Sequence, residues 1–182
     1  PRNAVRRILA QLEAEGAITR HVGRGTFLAS HAAGSGDSAD SVSHTSPAEL
    51  MEARLKLEPA LAELVVTNAT QADFDRMETC LEKAEKAASL DEFELWDAAL
   101  HQALAAATHN RFVIRVLDMV TAVRHQSEWG KLKDRIVTPE RRLKYQQEHR
   151  DIVRALKDRD ADRARAFIVA HLQHARRNLF GF

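Results

Sequence analysis

The sequence predicts a mainly α-helical protein, an antiparallel bundle of six or seven helices preceded by a small N-terminal unit. Two observations predict this fold class. From residue 47 onward, apolar residues recur at intervals of three or four, and no alternating strand pattern competes. The predicted helices are about 15–20 residues long and are joined by short loops, which favours antiparallel packing of successive helices.

Length and charge limit the class of protein. The 182 residues, 45% of them hydrophobic, suffice for one sizeable core and a smaller module. Lysine and arginine number 27 and acidic residues 26, so the whole chain carries no strong charge. The first 30 residues, however, hold five arginines and only two glutamates. This basic N-terminal region favours a polyanionic partner.

The remaining bulk features point to the cytoplasm. A single cysteine, Cys80, excludes an intrachain disulfide and fits a reducing compartment. No apolar run approaches the ~20 residues of a membrane span, and no signal peptide opens the sequence. Because the sequence begins at Pro1 rather than Met, we expect it to be part of a longer protein.

The N-terminal unit is predicted to be a helix followed by a hairpin. Residues 4–15 place their apolar side chains on one helical face. Two β-compatible runs follow at 17–22 and 26–29, and the Gly-Arg-Gly turn at 23–25 predicts a hairpin between them. Residues 31–46 are rich in Ser, Gly and Asp, which is typical of a flexible linker.

Capping residues and a proline set the predicted helices of the bundle. Residues 47–68 form one or two helices, because Pro59 removes a backbone donor. Thr70 and Asp73 resemble a capping box that starts a helix over 71–88. Four more helices are predicted from Asp91 to about Thr108, from Asn110 to about Lys131, from Thr138 to about Lys157, and over 160–179.

Four residues of metal-ligand type lie in the core-facing phase of three helices. Asp97 and His101 stack one turn apart beside an apolar stripe that includes Phe93 and Leu100. His149 falls on the predicted inward face of its helix, which is marked by Leu143, Tyr145, Gln146, Ile152, Val153 and Leu156. His171 lies in the middle of the last stripe. Helical bundles commonly build metal sites from such inward side chains.

The pattern leaves alternatives open. A buried aspartate needs a partner, so Asp97 borders solvent, forms an ion pair or binds a ligand. Each histidine, taken alone, is more often a hydrogen-bonded core residue than a metal ligand. Three imidazoles with one carboxylate suit Zn²⁺, Ni²⁺, Mn²⁺ or Fe²⁺ and leave positions open on a six-coordinate ion. His174, His109 and Arg124 are expected to be solvated, although Arg124 could also reach a carboxylate ligand.

The N-terminal unit resembles the second half of a GntR-type winged helix-turn-helix domain. The resemblance rests on RNAVRRILAQLEAEG at 2–16 and GRGTF at 23–27. The remainder resembles the FCD effector domain of the FadR-like members of that family. That resemblance rests on RLKLEP at 54–59, DAALHQAL at 97–104, Asn110, EHRDIVRALKDRDADRA at 148–164 and AHL at 170–172.

The resemblance implies a domain order and a site. Residues 1–30 would be the C-terminal part of the DNA-binding domain, 31–46 a linker, and 47–182 an all-α FCD domain that binds metal and effector. In metal-binding members the ion is held by an Asp, the His four residues later and two His of later helices. These correspond here to Asp97, His101, His149 and His171. A small organic acid would complete the coordination, with Arg124 and Arg54 as candidate contacts.

The resemblance also implies the partners. Arg2, Asn3 and Arg6 would present donors to base edges or phosphates, and Arg24 with Gly25 would approach the DNA backbone at the tip of the wing. We therefore predict a ligand-responsive regulator that binds operator DNA as a homodimer, most simply as a repressor, and that is not an enzyme.

Two other functions are compatible with the same residues. A metal-dependent enzyme could activate water at a His₃Asp site. Against it, no further carboxylate or histidine lies clearly in phase to act as a base. A helical interaction module, in which the four polar groups only pair with each other, is the third hypothesis.

Overall fold

The computed structural model describes residues 2–14, 18–21, 25–28, 45–124 and 137–181. The chain divides into two compact units, Pro1–Leu50 and Met51–Phe182. Over the described ranges it contains eight α-helices and two short strands, so the predicted mainly α class is confirmed.

The N-terminal unit contains the predicted helix and hairpin. Helix α1 spans Arg2–Ala14, strand β1 spans Ile18–His21 and strand β2 spans Gly25–Leu28. The strands are antiparallel, with Ile18 opposite Leu28 and His21 opposite Gly25. Arg2, Asn3 and Arg6 therefore lie on α1 and Gly25 begins β2. Arg24 and most of the predicted linker lie outside the described residues.

The helices from residue 47 onward follow the predicted order. They are α2 Pro47–Leu57, α3 Leu61–Asn68, α4 Gln71–Lys86, α5 Leu90–Ala106, α6 Arg111–Arg124, α7 Pro139–Lys157 and α8 Ala161–Phe180. Pro59 divides the first pair, as predicted, within a 3₁₀ turn over Glu58–Ala60. The expected end of α6 near Lys131 lies in a part of the chain that the structure does not describe.

Side-chain caps fix most helix starts. Thr70 and Asp73 form the predicted capping box, and the Thr138 side chain accepts a hydrogen bond from the backbone N–H of Arg141. The prediction of Asp91 as a cap is wrong. Ser89 is the N-cap of α5, because its hydroxyl accepts from the Glu92 N–H at 3.1 Å.

The core of the second unit is formed by buried side chains from helices α2 to α8. Its largest fully buried side chains include Met51, Met77, Phe93, Leu156 and Leu172. The placement of Leu143 on the inward face of α7 is wrong, since it is 67% exposed. Leu143 precedes the buried Tyr145 by two residues, which is about 200° around a helix. No helix in the described ranges is both long and apolar enough to span a membrane.

Candidate metal centre

Three imidazoles meet in the interior of the bundle. His101 lies on α5, His149 on α7 and His171 on α8, and all three are buried. Each offers a nitrogen, and these nitrogens lie within 4.8 Å of one another. The Nε2 atoms of His149 and His171 are 3.2 Å apart. Two nitrogens bound at about 2.1 Å to one ion are separated by roughly 3.0–3.4 Å, depending on the bond angle.

Asp97 lies at the edge of this cluster. It precedes His101 by one turn of α5, and its Oδ1 is 3.5 Å from Nε2 of His149. Its other oxygen, Oδ2, accepts a hydrogen bond from Arg124. The structure thus brings together all four residues that the sequence singled out. Their role as metal ligands stays a prediction.

Two carboxylates that sequence reasoning missed hold the outer nitrogens of the histidines. Glu58 Oε2 lies 3.0 Å from Nδ1 of His101, and Glu148 Oε2 lies 3.0 Å from Nδ1 of His171. A carboxylate on one ring nitrogen fixes the proton there and directs the lone pair of the other nitrogen inward. In metalloproteins this arrangement orients histidine ligands and increases their basicity.

Sequence spacing does not predict the position of either carboxylate beside the histidines. Glu58 follows α2 in the 3₁₀ turn around Pro59, where helical periodicity ends. Glu148 precedes His149 directly and therefore lies about 100° away on α7, and its partner is on α8. Neither carboxylate is in phase with an inward stripe, yet both lie beside histidines of the cluster.

Burial favours the neutral form of two of the three imidazoles, because it lowers the pKa of His101 and of His149. It lowers the pKa of His101, although Glu58 opposes this shift. Burial and the nearby His171 lower the pKa of His149 well below its ordinary value. Neutral imidazole is the form that binds metal, so the donor set of three imidazoles and one carboxylate fits a divalent transition metal.

Arg124 is buried, which corrects the expectation that it is solvated. Its side chain is 5% exposed and pairs with Asp97, while Glu94 lies 4.0 Å from the same guanidinium. Burial alone would raise the pKa of Asp97, but Arg124 outweighs it and holds that pKa well below the usual range. A carboxylate in the core required a cation from a neighbouring helix, and the last turn of α6 supplies it. Among the described residues, Nε of Arg124 finds no hydrogen-bond partner.

Arg54 is the second buried arginine of the site. Its Nε donates to Glu58 Oε1 at 2.5 Å, and its Nη2 lies 3.4 Å from Nε2 of His101. Burial would raise the pKa of Glu58, but the charges of Arg54 and His101 lower it far below its usual value. We attribute this shift mainly to Arg54, because His101 is neutral.

The histidines separate a polar cavity from an aliphatic one. The polar cavity encloses about 440 Å³, part of it open to solvent, and Arg54, Asp97, Arg124 and Tyr145 are among its lining residues. Leucine, isoleucine, valine and alanine side chains line most of the other side. Apart from the histidines, Glu58 is the polar residue among those that line the aliphatic side, so most polar groups available to a ligand lie on the side of the two arginines.

The remaining histidines lie as follows. His109 is exposed, as expected, and its Nε2 is 2.8 Å from Asp73 Oδ2. His174 is only 22% exposed, which corrects its expected place on the surface. Its Nδ1 is 2.9 Å from Glu148 Oε1, although the N–H is not aligned for a hydrogen bond. His174 therefore stands behind His171 rather than in solvent.

Comparison with known proteins identifies the family. The profile of the FCD domain matches residues 49–174. The Uxu operon transcriptional regulator of Escherichia coli strain K12 is 27% identical over 188 residues, which cover 100% of this chain and 73% of that protein. The Exu regulon transcriptional regulator of the same strain is 28% identical over 184 residues, covering 98% of this chain and 70% of that protein.

Solved structures agree with the fold. E. coli McbR/YncC superposes with a TM-score of 0.66 at 18% identity, covering 98% of this chain and 80% of that one. The metal-free FCD domain of TM0439 superposes with a TM-score of 0.57 at 19% identity, covering 74% of this chain and 94% of that one. The relatives above are regulators, which confirms the expectation of a transcription regulator rather than an enzyme. The chain therefore belongs to the family of proteins that carry an FCD domain, and the relatives named above are transcription regulators.

Proposed function

We propose that this regulator binds one divalent metal ion at Asp97, His101, His149 and His171 and senses a small organic acid there. The acid changes the affinity of a homodimer for operator DNA, most simply by releasing a repressor. In this proposal residues 1–30 form part of the DNA-binding domain and residues 47–182 form the domain that holds the metal and the effector. Residues 31–46 are the linker between these two domains.

One observation carries the proposal of a metal. The two Nε2 atoms of His149 and His171 face each other at 3.2 Å in a buried site, and carboxylates hold Nδ1 of His171 and of His101. Without metal, the N–H of one ring can link the two facing nitrogens. Metal bound at both Nε2 atoms would require that proton to lie on Nδ1 of the same ring, so two neutral imidazoles would bind the ion without net release of a proton. The donor set supports zinc, nickel, manganese or iron, and a six-coordinate ion leaves positions for an effector.

Arg124 supports an anionic effector. It lines the polar cavity, and its Nε is buried without a hydrogen-bond partner among the described residues. A buried guanidinium N–H without an acceptor is unfavourable, and a carboxylate bound in the cavity would supply one. Net charge gives no further support, because two arginines already face four carboxylates at the site (Glu58, Asp97, Glu94 and Glu148), and a divalent ion balances the difference.

The N-terminal unit supports the proposal of DNA binding. Its helix α1 and the hairpin β1–β2 have the order of a recognition helix and a wing. The proposed contacts to bases or phosphates come from three residues of α1, which are Arg2, Asn3 and Arg6. The proposed contact to the DNA backbone comes from Arg24 and Gly25 at the wing. In this proposal the dimer exists in two arrangements that differ in the placement of its two N-terminal units. Effector binding would change the populations of these arrangements and thereby the affinity for DNA.

Elemental analysis of the purified protein tests the metal site. We expect one equivalent of a divalent metal in the wild-type protein and little in the His149→Ala/His171→Ala variant. His109→Ala is the matched control, because that histidine is exposed and lies outside the cluster. Full metal occupancy in the double variant, with helix content intact by circular dichroism, contradicts the site.

Thermal denaturation with a panel of carboxylic acids tests the sensing. A ligand that binds only the native state through the ion stabilises it by RT ln(1 + [L]/Kd). We therefore expect acids to raise the melting temperature of metal-loaded protein and to have little effect on chelator-treated protein. Identical shifts in both forms would show that the acid binds without the ion.

A further inference from the structure

Tyr145 is the only phenol in the chain, and it lines the polar cavity. It lies on α7 one turn before His149, and it is 9% exposed. Its ring contacts His171 edge-on, with ring centroids 5.7 Å apart. Its side chain therefore belongs to the wall of the site.

The hydrogen bond to this hydroxyl has a defined direction. Asn178 on α8 places its Nδ2 at 2.8 Å from the Tyr145 hydroxyl and at 3.0 Å from Nε2 of His174. An amide nitrogen only donates, so the phenolic oxygen is the acceptor. Its own proton is then available to another acceptor, and among the described residues no acceptor is found for it.

The Asn178 amide nitrogen lies close to two groups. Besides the Tyr145 hydroxyl it is 3.0 Å from Nε2 of His174, whose ring centroid is 5.2 Å from that of Tyr145. An amide nitrogen carries two N–H bonds, so donation to the phenolic oxygen leaves a second N–H for this histidine. Asn178 therefore helps to orient the Tyr145 hydroxyl.

Two residues that line the cavity each carry a donor without an acceptor among the described residues. These donors are Nε of Arg124 and the hydroxyl of Tyr145. Burial raises the pKa of Tyr145, so the phenol keeps its proton at physiological pH. A carboxylate that binds the ion through one oxygen and accepts from Arg124 Nε with the other leaves the Tyr145 proton for a second oxygen function of the ligand.

We propose that Tyr145 determines effector specificity by donating its phenolic hydrogen bond to a second oxygen function of the bound acid. The inference rests on the proposed acid-sensing function and adds the class of ligand. An acid with a hydroxyl, oxo or second carboxylate group near its carboxylate satisfies this donor, whereas the unsubstituted acid of equal length leaves it unpaired in a buried site.

Isothermal titration calorimetry with matched acids tests this inference. The probes are acetate and glycolate, propionate and lactate, and succinate and malate, and each pair differs by one hydroxyl. In the zinc-loaded wild-type chain we expect at least one hydroxy acid to bind about three- to tenfold more tightly than its parent, the effect of one neutral hydrogen bond. Tyr145→Phe should reduce that ratio to about twofold or less, with zinc content unchanged.

Two further variants separate this role from a structural one. Asn178→Ala removes the group that orients the phenol and should also lower the ratio. Thr79→Val removes a hydroxyl from the exposed face of α4, far from the cavity, and should leave the ratio intact. The ratio is informative because a general loss of packing weakens both acids of a pair equally.

The outcomes distinguish the two proposals. If some acids bind but no pair shows a preference, or if the preference persists in Tyr145→Phe, the role of Tyr145 is wrong and acid sensing stands. If none of the six acids binds the zinc-loaded protein, both the acid site and the inference built on it are wrong.

Discussion

Removal of the Arg124 guanidinium should strongly destabilise the metal-free protein. Arg124→Met keeps a long apolar side chain but leaves the carboxylate of Asp97, 10% exposed, without its cation. Charges with centres about 4 Å apart attract by about 4 kcal/mol at an effective dielectric constant of 20. Losing one partner of a buried pair typically costs about 3–5 kcal/mol. We therefore expect the free energy of unfolding to fall by about 3–5 kcal/mol.

Urea unfolding in the presence of a chelator measures this loss. The Asp97→Asn/Arg124→Met double variant should lose less than Arg124→Met alone, because no charge is then buried unpaired. Arg150→Met is the matched control, since Arg150 pairs with Glu85 where both side chains are about one-third exposed. That exposed pair should contribute less than about 1 kcal/mol.

Zinc provides a second, independent measurement on the same variant. An ion beside Oδ1 of Asp97 supplies positive charge to the carboxylate that lost Arg124. The loss of stability in Arg124→Met should therefore be smaller with saturating zinc than with chelator. A loss no larger than that of Arg150→Met, equal in both conditions, would refute the buried ion pair.

Three further predictions concern the proposed metal site and the N-terminal unit. Glu58→Gln and Glu148→Gln should each lower zinc affinity about 10- to 100-fold, measured by competition with a chelating dye; unchanged affinity would mean that these carboxylates do not orient the histidines. The unfolding free energy of metal-free protein should decrease as pH falls below about 6.5, because burial lowers the pKa of His149 in the folded state and the unfolded chain takes up the proton first. Urea titrations between pH 5 and 8 measure that slope, and His149→Gln should flatten it. Arg2→Ala and Arg6→Ala should each weaken binding of the full-length regulator to a selected operator by roughly 1–3 kcal/mol in fluorescence anisotropy, and an equal loss on random DNA would limit them to phosphate contacts.

Contacts within one helix were the predictable part of the site. Asp97 and His101 were found because the i, i+4 spacing fixes their common face whatever surrounds α5. His149 and His171 were found because each falls in phase with an apolar stripe. Periodicity does not predict which helices lie next to each other. Only the structure shows that α5, α7 and α8 bring their histidines to the same place in the bundle.

Contacts between helices explain the errors. Arg124 was expected in solvent because the edge of its stripe on α6 is compatible with either environment. Its burial depends on Asp97, which lies on α5. His174 was misplaced for the same reason, since its neighbour Glu148 is on α7. Polar groups in a core are decided by partners far away in the sequence, and a single sequence contains no signal for them.

The helix starts show the same distinction on a smaller scale. Thr70 and Thr138 were correct because each is the one capping side chain at its position. At α5 two candidates compete, and Ser89 rather than Asp91 accepts the Glu92 N–H. The N-cap hydroxyl bonds the amide three residues later, and the Ser-x-x-Glu spacing fits that geometry while Asp91 already lies in the first turn.

The position of Arg54 on α2 points to a way in which effector binding in the bundle changes the placement of the N-terminal unit in the proposed switch. Arg54 lies on α2, the helix that follows the predicted linker, and it is the residue of α2 among those that line the polar cavity. A ligand shifts an equilibrium only by the difference in its affinity for the two states. A tenfold change in DNA affinity needs about 1.4 kcal/mol of such a difference. A hydrogen bond to a charged group contributes about 1.5–3 kcal/mol. One bond between the acid and Arg54, present in only one placement of α2, is therefore large enough to drive the proposed switch.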